Sequence, residues 1–305
     1  MSQLVSDDAL DWTRSLVQAR LISEIFADRV KGFVLKGGMA MKVRYAQSRA
    51  TQDIDLDSLN DIPLFEMQKL MRKAIDRALS DNLLENVIIS EPKQTETTAR
   101  WRIRGIDKNT QQPLTLTVEV SRRDNVLEHE FNEMPYQYEK VNASVLVYKS
   151  ESLAFKKVKA LLAPTREAPR DISDLFLMIK GQVEPPVAQL KEFLKQSKVE
   201  DLTSLLWQKI DSMDFKRFKS EVLPSLPATP QAQEWYKSWD DVRIEVGQKV
   251  EDWLRLAQQE LRQELEEASS ASQQDISVPP LTSSTLRQHH GSSSPPVSKP
   301  CPTSI

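Results

Sequence analysis

Cysteine is almost missing: Cys301, close to the end, is the only one in 305 residues. A single cysteine excludes an internal disulfide and a thiolate zinc site, and it fits a reducing, cytoplasmic setting. Histidine is nearly as scarce, with only His129, His289 and His290. The last two lie in a Ser- and Pro-rich tail. Histidine-rich metal sites are therefore excluded, and a Ser-His-Asp triad would rest wholly on His129. A basic excess is lacking too, since the net charge is −3, so no global field announces nucleic acid. No apolar run approaches the length of a membrane span. The start, "MSQLVSDDALDW", has acids where a secretory signal would have bases. Any chemistry in this chain has to run on carboxylates.

What is present is the composition of a soluble globular protein, 39% hydrophobic and 28% charged. The length suits one large domain or two ordinary ones and can bury a sizeable core. Residues 6–29 have the apolar spacing of a helix, with Leu10, Leu16, Val17, Leu21, Ile22 and Ile25 on one stripe. "GFVL" (32–35) reads as a short buried strand and "MAMKVRYA" (39–46) as a short helix. "DIDLD" (53–57) alternates as a strand, and "FEMQKLMRKAIDRAL" (65–79) reads as an amphipathic helix. Strands follow at 86–90, 100–105, 114–121 and 144–148, with "IDKNTQQP" as a hairpin loop between the second and third.

From about residue 150 the pattern turns helical, through "SLAFKKVKALLA", "DISDLFLMIKG", "VAQLKEFLKQS" and a long run beginning at "EWYKSW". The expected class is α+β: a mixed sheet with flanking helices over 1–150, then a helical domain over 151–267. Residues 268–305 contain no aromatic side chain and are rich in Ser and Pro, which predicts a disordered tail.

Glycine is also scarce, seven in all, yet two stand together in "FVLKGGMAMKVRYAQSRATQDIDLD" (33–57). Adjacent glycines at a strand-to-helix turn let backbone N–H groups approach an anion, at a helix end that favours negative charge. Just downstream, a strand with acids at Asp53, Asp55 and Asp57 turns all three to one face. Carboxylates so placed tolerate each other in water or around a divalent cation, and Mg²⁺ favours a few carboxylates plus substrate phosphate oxygens. A phosphate cradle beside a metal platform is what phosphoryl or nucleotidyl transfer requires. The bland alternative is a tight turn and a solvated surface strand.

This stretch resembles the glycine pair and D-x-D signature of the nucleotidyltransferase fold. More narrowly, it resembles the AbiEii-type toxin family of toxin–antitoxin systems. Lys36-Gly37-Gly38, Arg44-Tyr45, Arg49, Thr51 and Asp53-Ile54-Asp55-Leu56-Asp57 carry the likeness. It implies an NTP substrate with Lys36, Gly37, Gly38 and Arg49 at the nucleotide, and Mg²⁺ or Mn²⁺ on Asp53 and Asp55. Asp57 stands equally as a solvated strand-end acid. Met39 departs from the pattern, because the family places Thr or Ser there, and a hydroxyl donor to phosphate would be lost. Enzymes of this fold commonly use a third carboxylate. Glu119 in "LTLTVEVS" is the candidate, as metal ligand or general base, against the alternative of a water-exposed sheet-edge charge.

A second block, "SLAFKKVKALLAPTREAPRDISDLF" (152–176), resembles the family again. It implies Lys157 at the phosphates as a point charge, and Asp171 and Asp174, one helical turn apart on one face, at the nucleotide as well. Asp171 reads alternatively as a plain N-cap. Lys156 and Lys159 read as solvated charges, His129 as a loop or packing residue, and Trp207, Trp235, Trp239 and Trp253 as helix core.

The resemblance implies a magnesium-dependent enzyme that transfers NMP to an acceptor hydroxyl, first of all RNA such as tRNA. It also implies a cognate antitoxin, a role in phage defence and no membrane partner. A small-molecule nucleotidyltransferase of the antibiotic-modifying kind is the runner-up. A degenerate nucleotide- or partner-binding member is the non-enzyme alternative.

Overall fold

The computed structural model describes residues 2–27, 32–45, 48–59, 62–123, 126–134, 141, 143–199, 201–227 and 229–274. The helices are α1 (Ser2–Ala27), α2 (Gly37–Arg44), α3 (Leu64–Ala78), α4 (Ser150–Leu161), α5 (Pro169–Lys180), α6 (Val187–Gln196), α7 (Leu202–Ser212), α8 (Phe215–Glu221), α9 (Pro230–Lys237) and α10 (Trp239–Gln274). The strands are β1 (Phe33–Lys36), β2 (Asp53–Ser58), β3 (Leu84–Gln94), β4 (Thr98–Asp107), β5 (Pro113–Ser121), β6 (His129–Glu133) and β7 (Ser144–Tyr148). The chain divides into two compact units, 1–261 and 262–305.

The strands form one mixed sheet in the order β3-β4-β5-β2-β1-β7-β6. β2 lies near the middle, antiparallel to β1 and parallel to β5. β4 is antiparallel to both β5 and β3, as the hairpin reading requires. The fold is α+β, a mixed sheet with helices, as expected. β6 was not expected. "HEFNE" exposes three of its residues, half-buries the other two and buries none, so it has no apolar alternation to read. Pairing to β7 makes it a strand.

The period-two pattern of β5 builds the core directly. Leu114, Leu116, Val118 and Val120 are all buried on one face, while Thr115, Thr117, Glu119 and Ser121 are half-buried or exposed on the other. The buried face continues through Ala99, Trp101 and Ile103 of β4 and Ile54 and Leu56 of β2. It joins Leu21, Ile22, Met71 and Ile75 of α1 and α3 in one hydrophobic cluster. A second cluster lies among the later helices, from Phe155 and Val158 through Leu206 and Phe218 to Trp253 and Leu254. There Phe218 stacks on Trp239 with ring centroids 4.2 Å apart, a geometry that adds to burial.

α10 runs on to Gln274, past the composition shift at 268. Ser269 and Ser270 donate their hydroxyls to the carbonyls of Leu265 and Glu266, one turn back. Serine can occupy a helix this way, bonding to the preceding turn instead of opening a loop. The rest of the predicted tail, 275–305, lies outside the described residues, and Cys301, His289 and His290 with it.

Candidate active site

The glycine pair begins α2 instead of preceding it. Gly37 has φ +65°, in the left-handed region that glycine enters without steric cost. A methyl at Gly37 would strike the Asp55 carboxylate, and one at Gly38 would stand 2.6 Å from the Thr51 hydroxyl. The pair is needed because the turn after β1 lies directly on the acids of β2. Met39 is buried in the sheet's core. The residue that departs from the family pattern therefore contributes packing at this position.

Across the sheet, one row of facing residues runs Arg100, Glu119, Asp55, Lys36 over β4, β5, β2 and β1. The neighbouring row runs Arg102, Thr117, Asp53. Parallel pairing thus sets Glu119 directly opposite Asp55. Burial pushes the Asp55 carboxyl up from its ordinary value, and the charges of Asp53 and Glu119 push it further. Lys36 and Lys157 act against this without reversing it.

Glu119 is engaged by Arg100, whose Nε donates at 2.8 Å and whose Nη2 donates to the same oxygen. Among the described residues, no three His, Cys, Asp or Glu side chains are placed to hold a metal together. Of the three carboxylates expected at a metal, Glu119 is turned to Arg100, and Asp53 and Asp55 are the two whose charges crowd each other. That pair suffices in principle, because Mg²⁺ takes one or two carboxylates and completes its shell with phosphate and water. The crowded negative charge at Asp55 is what such a cation relieves, so the pair fits the ion.

Asp57 belongs elsewhere. It is 1% exposed and accepts from Tyr148 Oη at 2.7 Å, from Lys156 Nζ at 2.8 Å and from Lys36 Nζ. Burial alone would raise its pKa, yet Lys36 and Lys156 hold it below the ordinary carboxylate value. Two expectations are corrected here: Asp57 is not a solvated strand-end acid, and Lys156 is not a solvated helix charge. Lys156 also lies 4.5 Å from the centroid of the Tyr148 ring. Lys36, expected at the nucleotide, spends its ammonium on Asp57.

The second block folds onto the first. Lys157 of α4 is buried and donates to Asp171 at 3.1 Å and to Asp174 at 2.5 Å. Burial would lower its pKa, but the Asp174 and Asp171 carboxylates hold it above the ordinary lysine value. Arg49 donates to Asp174 at 3.2 Å, which ties the loop before β2 to α5. Asp171 is no N-cap: that position is Ala168, with no side-chain cap. Its carboxylate instead receives Lys157 and the Nε and Nη2 of Arg166, at 2.7 and 3.2 Å. Lys157 and Arg166 pull its pKa down against burial.

Arg166 is the residue that sequence reading missed. Its side chain is 41% exposed, whereas Lys157 behind it is 8% exposed, and it interacts with Asp55 as well as Asp171. Its loop is fastened from below, because buried Lys209 donates to the carbonyls of Pro164 and Arg166 at 2.8 and 2.7 Å. The only signal in the sequence was its place in "APTREAPRD", between the two halves of the block.

The remaining expectations concern packing. His129 lies on β6 with Nδ1 2.8 Å from the Leu127 carbonyl. Trp235, Trp239 and Trp253 are buried in the helical cluster, with Trp207 packed against it. Lys159 is exposed.

The family model described as nucleotidyl transferase AbiEii toxin, type IV toxin–antitoxin system, matches residues 20–243. Among solved structures, the fold is shared with JHP933 from Helicobacter pylori at 19% identity and TM-score 0.53, over 86% of this chain and 97% of that one. A candidate nucleotidyltransferase from H. pylori matches at 22% identity and TM-score 0.47, over 82% of this chain and 95% of that one. Comparison with the curated proteins gives no match. The class that fold and site define is the nucleotidyltransferases. Within it, the chain belongs to the AbiEii nucleotidyltransferase toxins of type IV toxin–antitoxin systems.

Proposed function

We propose that this chain transfers NMP from an NTP to an acceptor hydroxyl, with RNA such as tRNA as the acceptor, in a magnesium-dependent reaction at Asp53 and Asp55. The observation that carries the reading is the row Arg100, Glu119, Asp55, Lys36 with Gly37 packed on Asp55. It crowds carboxylates beside a glycine turn, a backbone setting in which N–H groups can meet a phosphate.

In the transfer, the acceptor oxygen bonds to the α-phosphorus and the bridging α–β P–O bond breaks, releasing pyrophosphate. A divalent cation, Mg²⁺ or Mn²⁺, would be held by Asp53 and Asp55 and would offset the charge developing on the phosphate. Gly37 and Gly38 admit the triphosphate against their backbone. Arg166 is the half-exposed cation that meets it. Lys157, Arg49, Asp171 and Asp174 form the buried frame that positions Arg166 and places positive charge behind Asp55. Lys36 fixes the end of β1 by pairing with Asp57. Glu119, opposite Asp55, takes the proton of the acceptor hydroxyl once Arg100 releases it.

An α/β part over 1–150 carries Asp53, Asp55 and Glu119, and a helical part over 151–267 carries Lys157, Arg166, Asp171 and Asp174, which Arg49 joins from the first part. No helix among the described residues is long and apolar enough to cross a membrane. A cytoplasmic site of action, a cognate antitoxin and a role in phage defence complete the reading. Incubating the protein with each α-labelled NTP, Mg²⁺ and total RNA, protein or small acceptors tests it. Label in RNA, lost with Asp53→Asn, is the expected result. Label only in protein or in small molecules would overturn the acceptor assignment.

A further inference from the structure

The row that carries the acids does not stop at the active site. On the same face of the sheet, Asp53 stands opposite Thr117, Thr117 opposite Arg102, and Arg102 opposite Ser90 of β3. Two residues along, Thr115 stands opposite Arg104 and Arg104 opposite Ile88. Arg100 faces Lys93 on its other side. Arg104, Ser90, Ile88 and Thr115 are exposed, and Arg102 and Lys93 are half-buried.

This stretch contains no carboxylate to balance its charge. Arg100 is spent on Glu119, but Arg102, Arg104 and Lys93 take no ion pair among the described residues. Glu91 is directed elsewhere, to Arg72 and to the buried Trp101. The next acid of β3 on this face, Glu85, stands opposite Ile106, beyond the row. A sheet edge thus presents unpaired cations in register with catalytic acids. Arginines two apart on a strand are about 7 Å apart, comparable to the step between neighbouring phosphates of an extended single strand.

We propose that this face of β3, β4 and β5 is the docking surface for the acceptor, and that it holds the phosphate backbone of a single-stranded nucleic acid, with Arg102 and Arg104 as the phosphate contacts and Ile88 under a base. The inference rests on the transfer reading for where the reacting hydroxyl lies, and the strand runs from Asp53 across Thr117 to the β3 edge. The transfer reading makes the strand RNA. Backbone contacts of this kind position a strand without reading its sequence.

Fluorescence anisotropy with a short fluorescein-labelled single-stranded RNA tests the surface directly. Wild type is compared with Arg102→Ala/Arg104→Ala and with Arg104→Glu, each checked for an unchanged melting temperature. Affinity is expected to fall about tenfold per arginine, and the salt slope by about 0.7 per arginine. Binding of a fluorescent ATP analogue stays the same. Unchanged RNA affinity and salt slope in the double variant overturn the proposal, and so does polyglutamate that competes as well as RNA.

Transfer of α-label to the same RNA separates this from the reading above. Equal labelling by wild type and the double variant leaves the transfer reading standing and overturns the surface. RNA binding that depends on both arginines, in a protein that labels no RNA, supports the surface and overturns the transfer reading.

Discussion

Asp55 and Asp57 lie two residues apart on one strand and face the same way, yet their surroundings oppose each other. Asp57 is enclosed by Lys36, Lys156 and the Tyr148 hydroxyl, and its pKa is depressed. Asp55 is set among Asp53 and Glu119 beneath a glycine turn, and its pKa is raised. The same residue type thus serves as an anchor at one end of β2 and as a destabilised group at the other. A carboxylate kept at a cost to the fold points to function, and one satisfied by three donors explains itself as structure.

The sharpest way to break this contrast is to neutralise each acid in turn. Asp55→Asn, and likewise Asp53→Asn, is expected to reduce transfer by at least about a hundredfold, the loss typical even for residues one step removed from a metal. Melting temperature should hold or rise in Asp55→Asn, since a repelled charge is removed. Transfer that survives in either variant would end the metal assignment. Gly37→Ala should follow closely in activity, because the new methyl and the left-handed backbone both act against Asp55, at a backbone cost of about 1–2 kcal/mol. A steady-state assay beside a thermal melt reads both effects.

Asp57→Asn is expected to do the reverse. It leaves Lys36 and Lys156 with no buried carboxylate and should cost about 3 kcal/mol of stability, measured by urea unfolding, while folded molecules keep some transfer. Lys156→Ala should destabilise in the same direction but less, since its side chain is 17% exposed. Lys159→Ala should change nothing measurable, and equal losses at Lys156 and Lys159 would remove the anchor from the argument.

Lys157→Ala should weaken NTP binding by about 1.5–3 kcal/mol and also destabilise, because Asp171 and Asp174 lose their shared cation. Titration with NTP and Mg²⁺ against a melt separates the two losses. Arg166→Ala, on the half-exposed partner, should lose NTP affinity with little loss of stability.

The smallest expected effect is on pH dependence. Asp57 and Asp171 have depressed pKa values, so their contribution to stability is present above the ordinary carboxylate value near 3.9. It is lost as pH falls below that value toward the folded-state pKa. Asp55, whose pKa is raised, works the other way. It favours folding when protonated, and stability falls as pH rises from the ordinary value through its folded pKa. Urea unfolding across the acid range should therefore show a shallower acid loss for Asp57→Asn and a steeper one for Asp55→Asn. Parallel profiles for the two variants would contradict the opposed environments.

Local alternation and helical spacing were enough to read β2, β4, β5, β7, α3, α4, α5 and α6 and the long run that folds as α9 and α10, though not α7 and α8. They could not show β6, which has no pattern of its own and exists by pairing with β7. The glycine pair and the acids were legible as a site because rare residues at fixed spacing stand out in a chain with seven glycines. Which acid does what was not legible. Three aspartates on one face look alike until the neighbours arriving from β1, β5, β7 and α4 are known. Lys156 and Lys157 are adjacent in sequence, yet one reaches Asp57 and the other Asp171 and Asp174, because successive helix positions point about 100° apart. Arg166 escaped notice because a loop arginine carries no periodicity.

The sequence by itself determined most of the elements, the family signature and the short segment where chemistry gathers, because these depend on contacts within a few residues. The tertiary structure alone decided which carboxylates are paired and which are crowded. It also decided that Gly37 lies on Asp55 and that the arginines of β4 stand in register with the acid-bearing strands β5 and β2. Those relations join residues tens of positions apart, and charge interactions act through space at a few ångströms, without regard to order along the chain.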